Sequence, residues 1–215
     1  SLTSTNQLNV AGGFSSGGNA NGRPYIVLDK TSTVGAHAVM IEYLDINYAI
    51  KHEIVVLNGA AEVNLIASPF RIQEFKVIAS GSANACAGAI QLRAPASTVY
   101  GYITAGYTRT RSSIWTTPAN TTLYINKFTG GFSLAAGTQW DYARLFLREN
   151  REPERGFKTD NIFYPMSEVI TNNSTIVMPF NLPIKILPQT DVKVSGVASA
   201  AGVAVCSYRG WLETA

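Results

Sequence analysis

The sequence predicts an all-β protein, a jelly-roll-like β-sandwich carrying an extended N-terminal arm. Three observations lead there. Apolar residues recur with period two over short runs, as in half-buried strands. Turn-forming pairs that end in Gly separate those runs. No segment of the 215-residue chain carries a sustained helical stripe.

Residues 1–24 are rich in Gly, Ser, Asn and Thr, with Gly12-Gly13 and Gly17-Gly18 and little apolar periodicity. Such a segment cannot bury enough to order itself, so an arm is expected here, flexible or laid along a neighbour. From Pro24 onward the pattern changes. The runs 37–44 (HAVMIEYL), 52–57 (HEIVVL) and 70–78 (FRIQEFKVI) alternate or carry β-branched residues. Asn58-Gly59, Ser80-Gly81, Gly130-Gly131 and Ala136-Gly137 are expected to supply the positive φ of hairpin connections. Further strands are expected at 89–93, 99–104, 110–116, 121–132, 139–148, 174–179, 185–187, 191–198 and 203–213, about twelve in all. Residues 142–149 come nearest to a helix, yet 143–148 alternates equally well, and 167–171 reads as a single turn. So many strands without helices leave edges that a double-sheet roll would cover. No linker interrupts residues 25–215, which gives one domain; Pro95 and the small residues around it, at 93–97, mark the alternative boundary.

Apolar residues make up 46% of the chain and charged residues 14%, the latter well under the usual ~25%. A surface this weakly charged suits a subunit covered by its neighbours. The net charge of +3 is scattered and forms no basic stripe, so direct nucleic-acid binding is not expected. No apolar stretch approaches the ~18 residues of a membrane span, and residues 1–7 lack a basic and apolar signal layout, so no membrane partner is expected. Cys86 and Cys206 share no motif spacing. They read as two buried free thiols, or else as a disulfide that would point to an oxidising compartment.

Chemistry is hard to place. The two histidines, His37 and His52, have no partner at ligand spacing, and zinc, calcium, P-loop and nucleophile-elbow motifs are absent. No catalytic, metal or cofactor residues are therefore assigned, and the chain reads as an interaction protein, not an enzyme. Acidic pairs such as Glu42 with Glu53, or Asp141 with Glu168, arise too easily to indicate a glycosidase. Trp115, Trp140 and Trp211 read as core residues or as platforms for sugars. Residues 148–160 hold eight charged residues in thirteen positions. They read as a solvated loop whose alternating charges cancel, or as a docking segment. In the second reading Arg148, Arg151 and Arg155 meet carboxylates on a neighbour and Phe157 supplies an apolar anchor.

The runs 39–48 (VMIEYLDINY), 53–59 (EIVVLNG), 70–72 (FRI), 88–90 (GAI) and 116–124 (TTPANTTLY) together resemble a strand-and-turn series in β-rich virion structural proteins of tailed bacteriophages. The resemblance covers residues 37–148, and Asn120 stands where those proteins usually have Gly. It implies a virion component assembled in the host cytoplasm, foremost a capsid decoration or cement protein. Such a protein would form a homo-oligomer, with a trimer favoured, and bind the major capsid protein or other virion subunits. A neck, tail or fibre subunit, or a host-receptor (carbohydrate) binding module, is the alternative.

Overall fold

The computed structural model describes residues 25–28, 35–58, 61–82, 84–93, 99–110, 112, 114–134, 142–150, 163–172 and 174–214. Among these the chain is all-β, fourteen strands without a helix. Where the sequence predicts one domain, the contacts gather in two compact units that divide between Ser112 and Ser113, downstream of the alternative boundary at 93–97.

The first unit holds β1 (Tyr25–Leu28), β2 (Ala36–Leu44), β3 (Ile50–Val56), β4 (Val63–Asn64), β5 (Arg71–Ser80), β6 (Ile90–Arg93) and β7 (Val99–Ile103). They form two antiparallel sheets, ordered β4-β1-β6-β7 and β3-β2-β5. Val39, Ile41 and Tyr43 of β2, Phe75 of β5, Ile90 and Leu92 of β6 and Ile103 of β7 belong to one buried cluster, so both sheets close on a shared core. The β2–β3 connection is an Asx-type turn: the Asp45 carboxylate accepts from the Asn47 and Ala49 N–H groups while Tyr48 takes φ 59°.

The second unit holds β8 (Ile114–Thr116), β9 (Thr121–Leu134), β10 (Ala143–Asn150), β11 (Tyr164–Thr171), β12 (Thr175–Ile186), β13 (Asp191–Ala198) and β14 (Gly202–Thr214). Its two antiparallel sheets are ordered β11-β10-β13-β8 and β12-β9-β14. The pairings nest in sequence, β10 with β11, β9 with β12 and β8 with β13, and β14 then lines the other side of β9. Ile125, Phe128 and Phe132 of β9, Leu145 and Leu147 of β10, Val169 of β11, Ile186 of β12, and Val192 and Val194 of β13 share one buried core. Asn120 enters β9 at φ 56°, the left-handed region that Gly occupies freely and Asn tolerates.

Three local expectations are corrected. Residues 167–171 are no single turn but the second half of β11. Pro165 cannot donate to a ladder, which confines its strand to an edge, and β11 is the outermost strand of its sheet. The runs 174–179 and 185–187 belong to one strand, β12, interrupted by a register shift between Pro179 and Ile184. Gly130-Gly131 does not turn the chain, because β9 runs through it. A Cβ on Gly130 would lie 2.7 Å from Leu145 Cδ1 in the facing sheet, so this glycine serves close approach and not a turn. The short strands β1 and β4 were not expected. The arm expected at 1–24, and the turn residues Gly59, Ala136 and Gly137, lie outside the described residues.

The Gly130 contact gives a direct check of the packing. Gly130→Ala is expected to destabilise the protein by about 1–3 kcal/mol through overpacking, and Leu145→Ala alone by about 2–5 kcal/mol. Urea unfolding of the double variant should fall short of the sum by about 1 kcal/mol or more. Simple additivity would mean that the two residues do not meet.

Candidate docking surfaces

Of the four residues assigned to docking, Arg148 lies on β10, while Arg151, Arg155 and Phe157 lie outside the described residues. The period of the strand decides where Arg148 points. Ala143, Leu145 and Leu147 enter the core, so Arg144, Phe146 and Arg148 stand on the opposite face. Both guanidinium groups flank the Phe146 ring, with Arg144 Cζ 5.3 Å and Arg148 Cζ 4.6 Å from its centroid. Arg144 holds Glu168 of β11 in a fork: Nε donates to Oε1, and Nη2 donates to Oε2 at 3.0 Å. That bond holds the Glu168 carboxyl below its ordinary range and raises Arg144.

Arg148 has a different setting. Its register partners are Pro165 on β11 and Lys193 on β13, neither of them acidic. Lys193 is only 8% exposed, and its Nζ lies 3.8 Å from the Phe163 ring centroid. Burial, and then the neighbouring Arg148 charge, lower the Lys193 pKa. Arg148 Nε and Ser195 Oγ are buried without a hydrogen-bond partner. Lys193 and Ser195 share this outer face because Val192, Val194 and Ala198 of β13 turn into the core. Neither was singled out from the sequence. The alternation of 191–198 puts both on one side of a strand, but only the pairing with β10 sets that side beside Arg148.

The second unit also carries an uncharged face on the sheet β12-β9-β14. One cross-strand row is Val177, Thr129 and Ser207, the next is Thr175, Gly131 and Val205, and Val203 follows beside Ser133. Val177, Val203 and Val205 are 55%, 60% and 65% exposed. Charge returns only with Lys127 and Arg209, which are in register. Beyond them the ladder shifts between Arg209 and Gly210, where a Cβ on Gly210 would overlap the Tyr124 carbonyl. Trp211 then stacks on Tyr124, centroids 5.3 Å apart at 13°, and its indole N–H donates to Glu213 at 2.9 Å. β14 is the last strand of this sheet among the described residues. From Val203 to Tyr208 it carries neither Pro nor charge, the usual guards of an exposed edge, whereas β12 carries Pro179 and Pro183.

Several polar groups elsewhere are engaged in pairs. His52 Nε2 lies 2.9 Å from Glu42 Oε2 across β2 and β3, both partly exposed. Glu53 accepts from the Ile66 and Ala67 N–H groups at 2.7 and 3.0 Å. Thus Glu42 and Glu53 serve separate partners, and Glu168 is bound to Arg144; Asp141 lies outside the described residues. Among the described residues no three His, Cys, Asp or Glu side chains group to hold a metal. Trp115 packs against the core of the second unit, Trp211 is 42% exposed, and Trp140 lies outside the described residues.

No family model, curated protein or solved structure matches the chain.

Both cysteines are free thiols. Cys86 belongs to the core of the first unit, and Cys206, on the inner face of β14, packs against the core of the second, where burial pushes its pKa up to about 11. At pH 8 about one Cys206 in a thousand is then thiolate. Iodoacetamide is therefore expected to alkylate Cys206 on the order of 100-fold more slowly than a free thiol, the rate rising with pH and again on unfolding. Rapid labelling of the native protein at pH 8 would contradict this placement.

Proposed function

We propose that this chain is a non-enzymatic structural subunit of a tailed-bacteriophage virion, foremost a capsid decoration or cement protein. The observation that carries the reading is the uncharged face of β12-β9-β14 ending in the unguarded edge of β14. Three valines standing half or more out of one sheet expose apolar surface that water solvates poorly. Full burial of a valine is worth about 1.5 kcal/mol at the lower end of the usual range, so covering the exposed half or more of each would contribute about 1 kcal/mol. A second copy of the chain is the occupant proposed, with a trimer favoured, and the major capsid protein or other virion subunits are bound by the assembled oligomer. The sparse charge of the sequence supports the same reading. A jelly-roll-like winding of the second unit is part of the proposal. It is supported by the nested pairing of β8 with β13, β9 with β12 and β10 with β11, which is how a long hairpin folds over into two sheets. Residues 1–24 would then serve as an arm laid along a neighbour, adding attachment at an effective concentration set by its tether.

The stacked Tyr124–Trp211 pair favours a second reading, a host-receptor or carbohydrate-binding module. The two readings separate in one comparison. Light scattering on the purified chain is expected to report a stable oligomer, and Val177→Asp with Val205→Asp to dissociate it, because two carboxylates cannot be buried on an apolar face without partners. Trp211→Ala should leave the oligomer intact. A monomer at all concentrations, together with a glycan affinity abolished by Trp211→Ala, would reverse the assignment.

A further inference from the structure

Two arginines flank one ring on the outer face of β10, and among the described residues only one of them is hydrogen-bonded to a carboxylate. Arg144 takes Glu168 from the neighbouring strand. Glu168 stands opposite Phe146, so Arg148, on the ring's other side, feels its charge without a hydrogen bond; in its own register Arg148 has Pro165 on β11 and a second cation, Lys193, on β13. Like charges directly opposite on adjacent strands repel. Burial raises that cost: Lys193 is 8% exposed, while Arg148 Nε and Ser195 Oγ are enclosed without partners. Of the nearby acids of the described sheets, Glu168 is held by Arg144 and Asp191 accepts from the Thr116 hydroxyl at 2.5 Å, while Glu149, next after Arg148 on β10, falls by alternation on the opposite side of the strand. The connecting sequence 151–160 carries Arg151, Arg155 and Lys158 against Glu152, Glu154 and Asp160, and so brings no surplus negative charge.

We propose that Arg148, Lys193 and Ser195 form a carboxylate-binding site, and that its occupant is a Glu or Asp side chain in an acidic segment of a partner protein. Arg148 supplies a planar fork matched to a carboxylate, Lys193 a second charge, and Ser195 a hydroxyl donor. Phe146 and Phe163 hold the two cations in place by their ring faces. The site deepens the docking function proposed above by naming the partner's chemistry, and it rests on that reading only in taking the carboxylate from another protein. It lies on the sheet β11-β10-β13-β8, so it is separate from the apolar face of β12-β9-β14.

The test is a titration of the full chain, labelled with nitrogen-15, with a blocked pentaglutamate peptide at low ionic strength. The Lys193 and Ser195 amide resonances are expected to shift saturably, and blocked pentaglutamine to move neither. Arg148→Gln and Lys193→Gln should each weaken binding about tenfold or more, while Arg209→Gln, which removes an exposed cation on the other sheet, should weaken it less than twofold. Should either site variant misfold, the saturable wild-type shift at Lys193 still decides the case. Equal loss in Arg209→Gln would reduce the effect to general surface charge and overturn the site. Equal binding of inorganic phosphate would overturn its carboxylate specificity. If the peptide binds only after Glu152→Gln, Glu154→Gln and Asp160→Asn are combined, the chain fills its own site and the partner is overturned. Absence of any saturable shift in every form overturns the proposal outright, while an oligomer that still depends on Val177 and Val205 would leave the assembly reading standing.

Discussion

The approach of β9 to β10 through Leu145 governs the second unit. Leu145 sits in a notch between two glycines: a Cβ on Gly130 of the facing sheet would meet its Cδ1 at 2.7 Å, and one on Gly196 of the adjacent strand its Cδ2 at 2.9 Å. Once Leu145 points inward, period two leaves no freedom for its neighbours. Arg144, Phe146 and Arg148 must stand on the outer face of one sheet, and Thr129 and Gly131, flanking Gly130, on the outer face of the other. The cationic face and the uncharged face are thus two sides of the same packing decision.

Much of this was legible in the residues. The alternation of 37–44, 70–78 and 191–198 gave strands where strands are found, because one face of each is buried and the signal is strong. Gly130-Gly131 misled because two glycines signal a turn as readily as a close approach, and only the partner side chain distinguishes them. β11 was hidden by Pro165, which lowers the strand signal while being tolerated at an edge. The proposed docking face was half legible. Arg148 stood out by its place in a charged run, but Lys193 and Ser195 lie 45 and 47 residues further along and become its neighbours only through the pairing of β10 with β13. A non-local register of that kind leaves no local trace in composition.

The energetics of the two faces differ. The Arg144–Glu168 fork is solvent-exposed on both sides, so it specifies register more than it stabilises. Lys193 is the reverse case, a buried cation beside the like charge of Arg148, which costs stability. The uncharged face of β12-β9-β14 carries an analogous cost in exposed valines. Both features are what the proposed assembly would cover.

Coverage of that face is the central claim, and hydroxyl-radical footprinting across a dilution series tests it residue by residue. Oxidation of Val177, Val203 and Val205 is expected to fall severalfold from dilute to concentrated protein, while Ile54 and Ile66, exposed in the first unit, keep their reactivity. Unchanged reactivity of the three valines in a demonstrably oligomeric sample, with protection appearing on the first unit instead, would contradict it.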